Sequence, residues 1–155
     1  GLYSMKEAIF IAFLVFVFIG SIGTINAMPT VVNRVFAFAK TRPATILSAL
    51  GASAVTNAMT SNQYATSFIV GDAFKTRFDA LKIPRKVLSR SLEDYGTMIE
   101  SIVPWHPTAI FMIATLGVPW VDYWSWQFLT LTNLIIAPSI ALIGIGCFYH
   151  EVDEE

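Results

Sequence analysis

Thr56-Asn57-Ala58-Met59-Thr60-Ser61-Asn62-Gln63-Tyr64 is crowded with uncharged polar side chains, and it sits where few would be expected. The surrounding window, residues 43–71, holds no Asp, Glu, Lys or Arg, yet eleven of its 29 residues are Ser, Thr, Asn or Gln. A helix rises about 1.5 Å per residue, so a window of this length reaches across a hydrocarbon core of about 30 Å. A polar group left unsatisfied in lipid is costly, so these side chains must face protein or a water-filled cavity. The sequence therefore predicts a discontinuous helix, broken near residues 56–63.

Three further windows without charge flank this one: residues 8–33, 101–121 and 123–150. The four windows occupy 104 of the 155 positions and exclude all 21 charged residues. Charged residues make up 14% of the chain, where a soluble domain carries about 25%. That distribution argues against a soluble globular enzyme and against disorder, and a net charge of −1 offers no basic footprint for nucleic acid. The single Cys147 excludes a disulfide framework and a cysteine-based zinc site, and His106 and His150 lie too far apart for a local metal motif. The expectation is an all-α integral membrane protein, multi-pass in the cytoplasmic membrane and not an enzyme.

Four membrane segments are expected, at about residues 8–28, 43–71, 91–118 and 124–148. The first has a short apolar core (AIFIAFLVFVFIG) loosened by Gly20, Ser21 and Gly23, which suits a re-entrant or broken segment. A signal peptide competes for that stretch, but no small-x-small cleavage site follows it. Residues 29–42 mix Arg34, Lys40 and Arg42 with Val and Phe, as an interfacial helix or short loop does. Residues 72–90 hold six of the ten basic side chains and are expected to form a cytoplasmic loop. Pro104-Trp105-His106-Pro107 interrupts the third segment, because two prolines remove two backbone donors. Trp120, Tyr123, Trp124 and Trp126 form an aromatic belt before the fourth, which Pro138 is placed to kink. The opening Gly-Leu-Tyr, without Met, gives the expectation that the chain is the C-terminal part of a longer membrane protein.

Broken helices expose carbonyls and amides at mid-membrane, where secondary transporters build their sites. Thr56, Asn57, Ser61, Asn62 and Gln63 offer hard neutral oxygens of the kind a dehydrated Na⁺ needs, with Asn57, Ser61, Asn62 and Gln63 the expected sodium ligands. The plainer reading is that these groups only join helices. Glu93, Asp94 and Glu100 are the acidic residues of the third segment, and on a continuous helix Glu93 and Glu100 share a face. A carboxylate in low dielectric holds its proton more tightly, and an arriving cation expels that proton, which suffices for sodium/proton exchange. Against that, Ser91-Leu92-Glu93-Asp94 also reads as a weak capping box beside Arg90. His106 either relays protons or bonds to backbone freed by the prolines.

Ser61-Asn62-Gln63-Tyr64, the run Leu88-Ser89-Arg90-Ser91-Leu92-Glu93-Asp94-Tyr95-Gly96-Thr97, and Val103-Pro104-Trp105 followed by Leu116-Gly117-Val118 resemble the C-terminal region of the NhaC-type sodium/proton antiporter family. The resemblance covers about residues 48–148. It implies one inverted repeat of a secondary transporter with broken helices, and a hairpin at residues 8–28. It also implies Na⁺/H⁺ exchange by alternating access, with relatives that exchange Na⁺-lactate for malate and protons or move amino acids. The chain departs from the family in having His106-Pro107 after Pro-Trp, Asn62 where Asp is frequent, and Glu100 in a stretch normally uncharged. That relocates the titrating group or marks a different substrate.

No cofactor is expected; Na⁺ and H⁺ are cargo. The expected partners are the lipid bilayer and the remaining N-terminal part of the transporter, with a homodimer left open and no nucleic acid. A sodium- or proton-coupled organic-anion or amino-acid antiporter is the nearest alternative function. A non-transporting membrane scaffold is the alternative of another class.

Overall fold

The computed structural model describes residues 39–149, together with Lys6, Phe10, Phe13, Leu14, Val17, Ser21 and Arg34. Most of the expected hairpin at residues 8–28, most of the interfacial stretch at 29–42 and the tail from 150 lie outside the described residues. Among the described residues every regular element is helical. In chain order these are α1 (Arg42–Thr60), α2 (Gln63–Ala80), α3 (Arg85–Tyr95), a 3-10 helix (Thr97–Ile102), α4 (Pro107–Leu116), α5 (Trp120–Tyr123), a 3-10 turn (Trp124–Trp126) and α6 (Phe128–Ile143).

The polar window breaks where the sequence placed the break, but the chain doubles back instead of running on. α1 stops at Ser61, whose left-handed φ of 50° turns the backbone while its N–H bonds to the Asn57 carbonyl at 2.7 Å. Asn62 then starts α2, its side-chain oxygen accepting from the Ala65 N–H at 3.2 Å. At the far end the Arg42 Nε donates to the Leu81 carbonyl at 2.8 Å, so the start of α1 meets the end of α2 and the two helices form an antiparallel hairpin.

α2 buries Thr66, Val70, Phe74 and Phe78, one residue per turn. They face Ile46, Ala49, Leu50 and Ala52 of α1, and Val87, Leu88 and Leu92 of α3 complete the core with Ala137 and Ala141 of α6. α1 is the central helix, touching α2, α3 and α6. Its small buried Ser48, Ala49, Ala52 and Ser53 leave room for that close approach.

The basic stretch 72–90 is not a loop. Residues 72–80 belong to α2, and α3 begins at Arg85, leaving only 81–84 as a turn. Lys82 takes the left-handed cap there (φ 52°), and the Ile83 N–H reaches back to the Phe78 carbonyl at 2.8 Å. Arg85 holds the Asp79 carboxylate at 2.7 and 2.9 Å, and that hydrogen bond keeps the Asp79 carboxyl below the usual carboxylate range. Such a depressed group adds stability above its unfolded range and loses it as acid protonates it; both partners are solvent-exposed, so the effect is small.

Because α3 starts at Arg85, Ser91 lies in mid-helix and its hydroxyl bonds back to Val87 at 2.9 Å. The capping box expected at Ser91 is therefore not formed. α3 ends at Tyr95, short of the expected continuation, and Glu93 and Glu100 do not share a face. The proline break begins earlier than the prolines: the backbone has already unwound into the 3-10 helix at Thr97.

The fourth segment is also not one straight helix. α5 with its 3-10 turn meets α6 at a 52° bend, with Gln127 at the corner. Among the described residues no single helix is long and apolar enough to cross a membrane, and this bent pair is the one combination with the length and composition to do so. Pro138 lies inside α6, and after Ile143 the chain closes over the bundle, with Arg90 donating to the Gly146 carbonyl at 2.9 Å and Cys147 fully buried.

Candidate functional site

The two breaks meet. Asn57, in the last turns of α1 and fully buried, donates through Nδ2 to the Gln63 side-chain oxygen at 2.8 Å and to Glu100 Oε1 at 3.4 Å. Its Oδ1 faces His106 Nε2 at 3.0 Å. The other ring nitrogen of His106 accepts from the Thr108 N–H at 3.2 Å, which caps α4. A neutral imidazole with Nδ1 accepting carries its proton on Nε2, so His106 donates to Asn57. Gln63 passes the pattern on, donating to the Leu92 carbonyl at 3.1 Å. The donors thus run in one sense, from His106 through Asn57 and Gln63 to the end of α3.

Glu100 is the one carboxylate in this group. Thr108 Oγ1 donates to its Oε2 at 2.8 Å, and His106 Nε2 stands 3.8 Å from its Oε1. Its side chain is 15% exposed, and that of His106 is 4% exposed, so a charge on either is only partly solvated. Trp105, itself at the surface, closes the end of α1 by donating to the Ala58 carbonyl at 2.7 Å.

The Na⁺/H⁺ antiporter family matches the chain over residues 1–145. This chain belongs to that family. It is 35% identical to the Na(+)/H(+) antiporter NhaC of Bacillus subtilis over 147 residues, 92% of this chain and 31% of the relative. The arginine/ornithine antiporter ArcD of Halobacterium salinarum is 32% identical over 111 residues, 72% of this chain and 23% of the relative. The malate-2H(+)/Na(+)-lactate antiporter of Bacillus subtilis is 27% identical over 103 residues, 66% of this chain and 22% of the relative. The chain spans about a third or less of the length of these curated relatives. No solved structure matches it.

In this member of the family, four of the residues singled out from sequence come together: Asn57, Gln63, Glu100 and His106. The others lie elsewhere or serve the backbone. Ser61 forms the turn and Asn62 caps α2, so the carboxamide of Asn62 is already engaged. Thr56 is fully buried with its hydroxyl lacking a partner. Glu93 is exposed and accepts from Thr97, whereas Asp94 sits 3.8 Å from Arg90. His106 takes the plainer of the two readings, accepting from the backbone N–H of Thr108, and its other ring nitrogen faces the polar cluster.

Asn62→Ala should cost about 1 kcal/mol of stability, as loss of a helix cap does. Asn62→Ser should restore most of it. Thermal unfolding of the two variants side by side checks this.

Sequence reasoning missed Thr108, Gly96 and a polar stripe on the α5–α6 pair. A Cβ on Gly96 would overlap the Gln63 carboxamide and the Leu92 carbonyl, so only glycine lets that amide lie against the α3 terminus. The stripe satisfies carbonyls of the unwound turn and of the last turn of α3. Trp120 donates to Ile102 at 3.1 Å, Tyr123 and Gln127 to Ser101 at 2.9 and 3.3 Å, Thr130 to Met98 at 3.0 Å, and Asn133 to Asp94 at 2.9 Å. Their spacing of three or four residues was the available signal, hidden because the tryptophans read as an interfacial belt.

Proposed function

We propose that this chain forms part of a membrane-embedded secondary antiporter that exchanges Na⁺ for H⁺ across the cytoplasmic membrane by alternating access. The observation that carries the proposal is the Asn57–Gln63–Glu100–His106 cluster, with Asn57 and His106 buried and Gln63 and Glu100 half-buried, at the meeting point of two helix breaks. The oxygens of Asn57, Gln63 and Glu100 are hard donors suited to a small monovalent cation, and each currently receives a proton donor from a neighbour. Sodium and hydrogen-bond donors therefore compete for the same oxygens. A proton on Glu100 removes the negative charge that would attract the ion, so cation and proton are held alternately. Membrane integration, the inverted-repeat arrangement and the remainder of the transporter as partner belong to the same proposal, supported by family membership and by relatives about three times as long.

The test uses the full-length protein in proteoliposomes, with an imposed sodium gradient and internal pH as the readout. Glu100→Gln, nearly isosteric but unable to ionise, should lower sodium-driven proton movement by about a hundredfold, the scale of a lost charge interaction. Sodium-driven pH change that survives Glu100→Gln at the wild-type rate would remove Glu100 from the mechanism.

A second reading keeps the fold and moves an organic anion or amino acid. It is favoured by the printed functions of the ArcD and malate/lactate relatives. A pH response that requires added carboxylate or amino acid would select it. A scaffold subunit would instead respond to Gln63→Ala by losing abundance, with no exchange to measure in the parent protein.

A further inference from the structure

Gln127 stands at the corner between the 3-10 turn and α6, where the backbone bends by 52°. From there its carboxamide grips one residue at two points. The Ser101 hydroxyl donates to its side-chain oxygen, and its Nε2 donates to the Ser101 carbonyl at 3.3 Å. Tyr123 adds a second bond to the same carbonyl at 2.9 Å. Ser101 directly follows Glu100 in the 3-10 helix, where successive side chains are about 120° apart. One side of this single turn is thus fixed to Gln127, and the next side chain around is aimed at Asn57 and Thr108.

We propose that Gln127 is a positioning residue for Glu100: by clasping Ser101 it sets the rotation of the unwound turn and hence the direction of the carboxylate. The proposal rests on the reading that Glu100 takes part in exchange. Tyr123 supports the same carbonyl and Thr130 of α6 holds Met98, but only Gln127 engages both the backbone and the side chain of Ser101. The hydrogen bonds of a 3-10 helix are poorer in geometry than those of an α-helix, so side-chain contacts weigh more in fixing its rotation. A carboxylate swung away from Asn57 and Thr108 presents the wrong geometry to an ion while the helices around it stay packed. The bend at Gln127 and the break at Glu100 are also tied mechanically, so a change in the corner angle reaches the site through the Gln127 carboxamide alongside the Trp120, Tyr123 and Thr130 bonds to the same turn.

The experiment compares Gln127→Met, which keeps length but removes both bonds, with Ser101→Ala, which removes only the hydroxyl bond, in full-length protein reconstituted at equal density. Sodium-driven proton movement is followed as a function of sodium concentration. Gln127→Met should raise the sodium concentration for half-maximal rate by about tenfold, the equivalent of one or two hydrogen bonds, with the amount of folded protein little changed. Ser101→Ala should raise it by a smaller factor in the same direction. Gln127→Asn, which retains both functional groups on a shorter stem, should recover part of the loss. A residue that only supports folding would lower abundance and leave the half-saturating sodium of the surviving protein at the wild-type value; that result would overturn the proposal. If Gln127→Met does not accumulate, Ser101→Ala decides by the same readout. Glu100→Gln is run in parallel: if it leaves exchange intact, the functional reading fails, whereas if it abolishes exchange and the Gln127 and Ser101 variants leave the sodium dependence unmoved, only the positioning role fails.

Discussion

Gly96→Ala is expected to be among the most damaging single-atom-group additions in the chain, destabilising it by about 2–4 kcal/mol. The new methyl group would occupy space held by the Gln63 carboxamide and the Leu92 carbonyl. One of these is backbone and cannot yield cheaply. The other can swing away only by giving up its bonds to Leu92 and Asn57. The site would be dismantled from its rim even though Gly96 touches no ion. Gly71 provides the contrast, since a Cβ there meets nothing within 4 Å and its helical position gains from alanine. Thermal unfolding of the purified full-length protein should show Gly71→Ala at or above wild type and Gly96→Ala far below it. Equal midpoints for the two variants would refute the steric account. Gln63→Ala in the Gly96→Ala background should recover part of the loss, because it removes one of the two overlaps.

Asn57→Ala is expected to abolish exchange and to cost about 3 kcal/mol of stability. Truncation strips the partner from three polar atoms at once: the Gln63 oxygen, Glu100 Oε1 and the His106 Nε2–H. Glu100 retains Thr108, and His106 retains its contact with the Thr108 N–H, so the side chains stay near their places but their facing atoms are left unpaired. Asn57→Leu fills the volume and should recover packing without recovering function. Stability and proton movement measured on the same preparations separate these contributions. If Asn57→Leu exchanged sodium for protons at the wild-type rate, the cluster would be structural glue alone.

How much of this was legible in the sequence differs from place to place. The break at Ser61-Asn62 was, because Ser, Asn and Gln in an uncharged window have few other tolerable arrangements. The direction taken after the break was not, since the same residues serve a kinked span and a hairpin equally well. What settles it is the left-handed Ser61 and the distant Arg42–Leu81 bond. The basic stretch 72–90 read as a loop because charge in a membrane chain marks its edges, yet the one-per-turn burial of Thr66, Val70, Phe74 and Phe78 carries α2 well into it. Glu100 was placed by its depth in the segment, and His106 by its prolines. Their meeting with Asn57 across more than forty residues is a tertiary fact that no local pattern encodes.

The stripe along α5 and α6 also bears on how such a chain is made. The carbonyls of the unwound stretch and of the end of α3 emerge during synthesis 18 to 39 residues before the Trp120, Tyr123, Gln127, Thr130 and Asn133 side chains that cap them. Until those arrive, the stretch carries bare acceptors that a lipid interior cannot satisfy. Under the proposed membrane placement, the earlier segment has to wait at an aqueous or translocon-sheltered site and enter the bilayer together with the later one. The two would then be a single unit of insertion, although neither would be recognised as half of anything by its hydropathy.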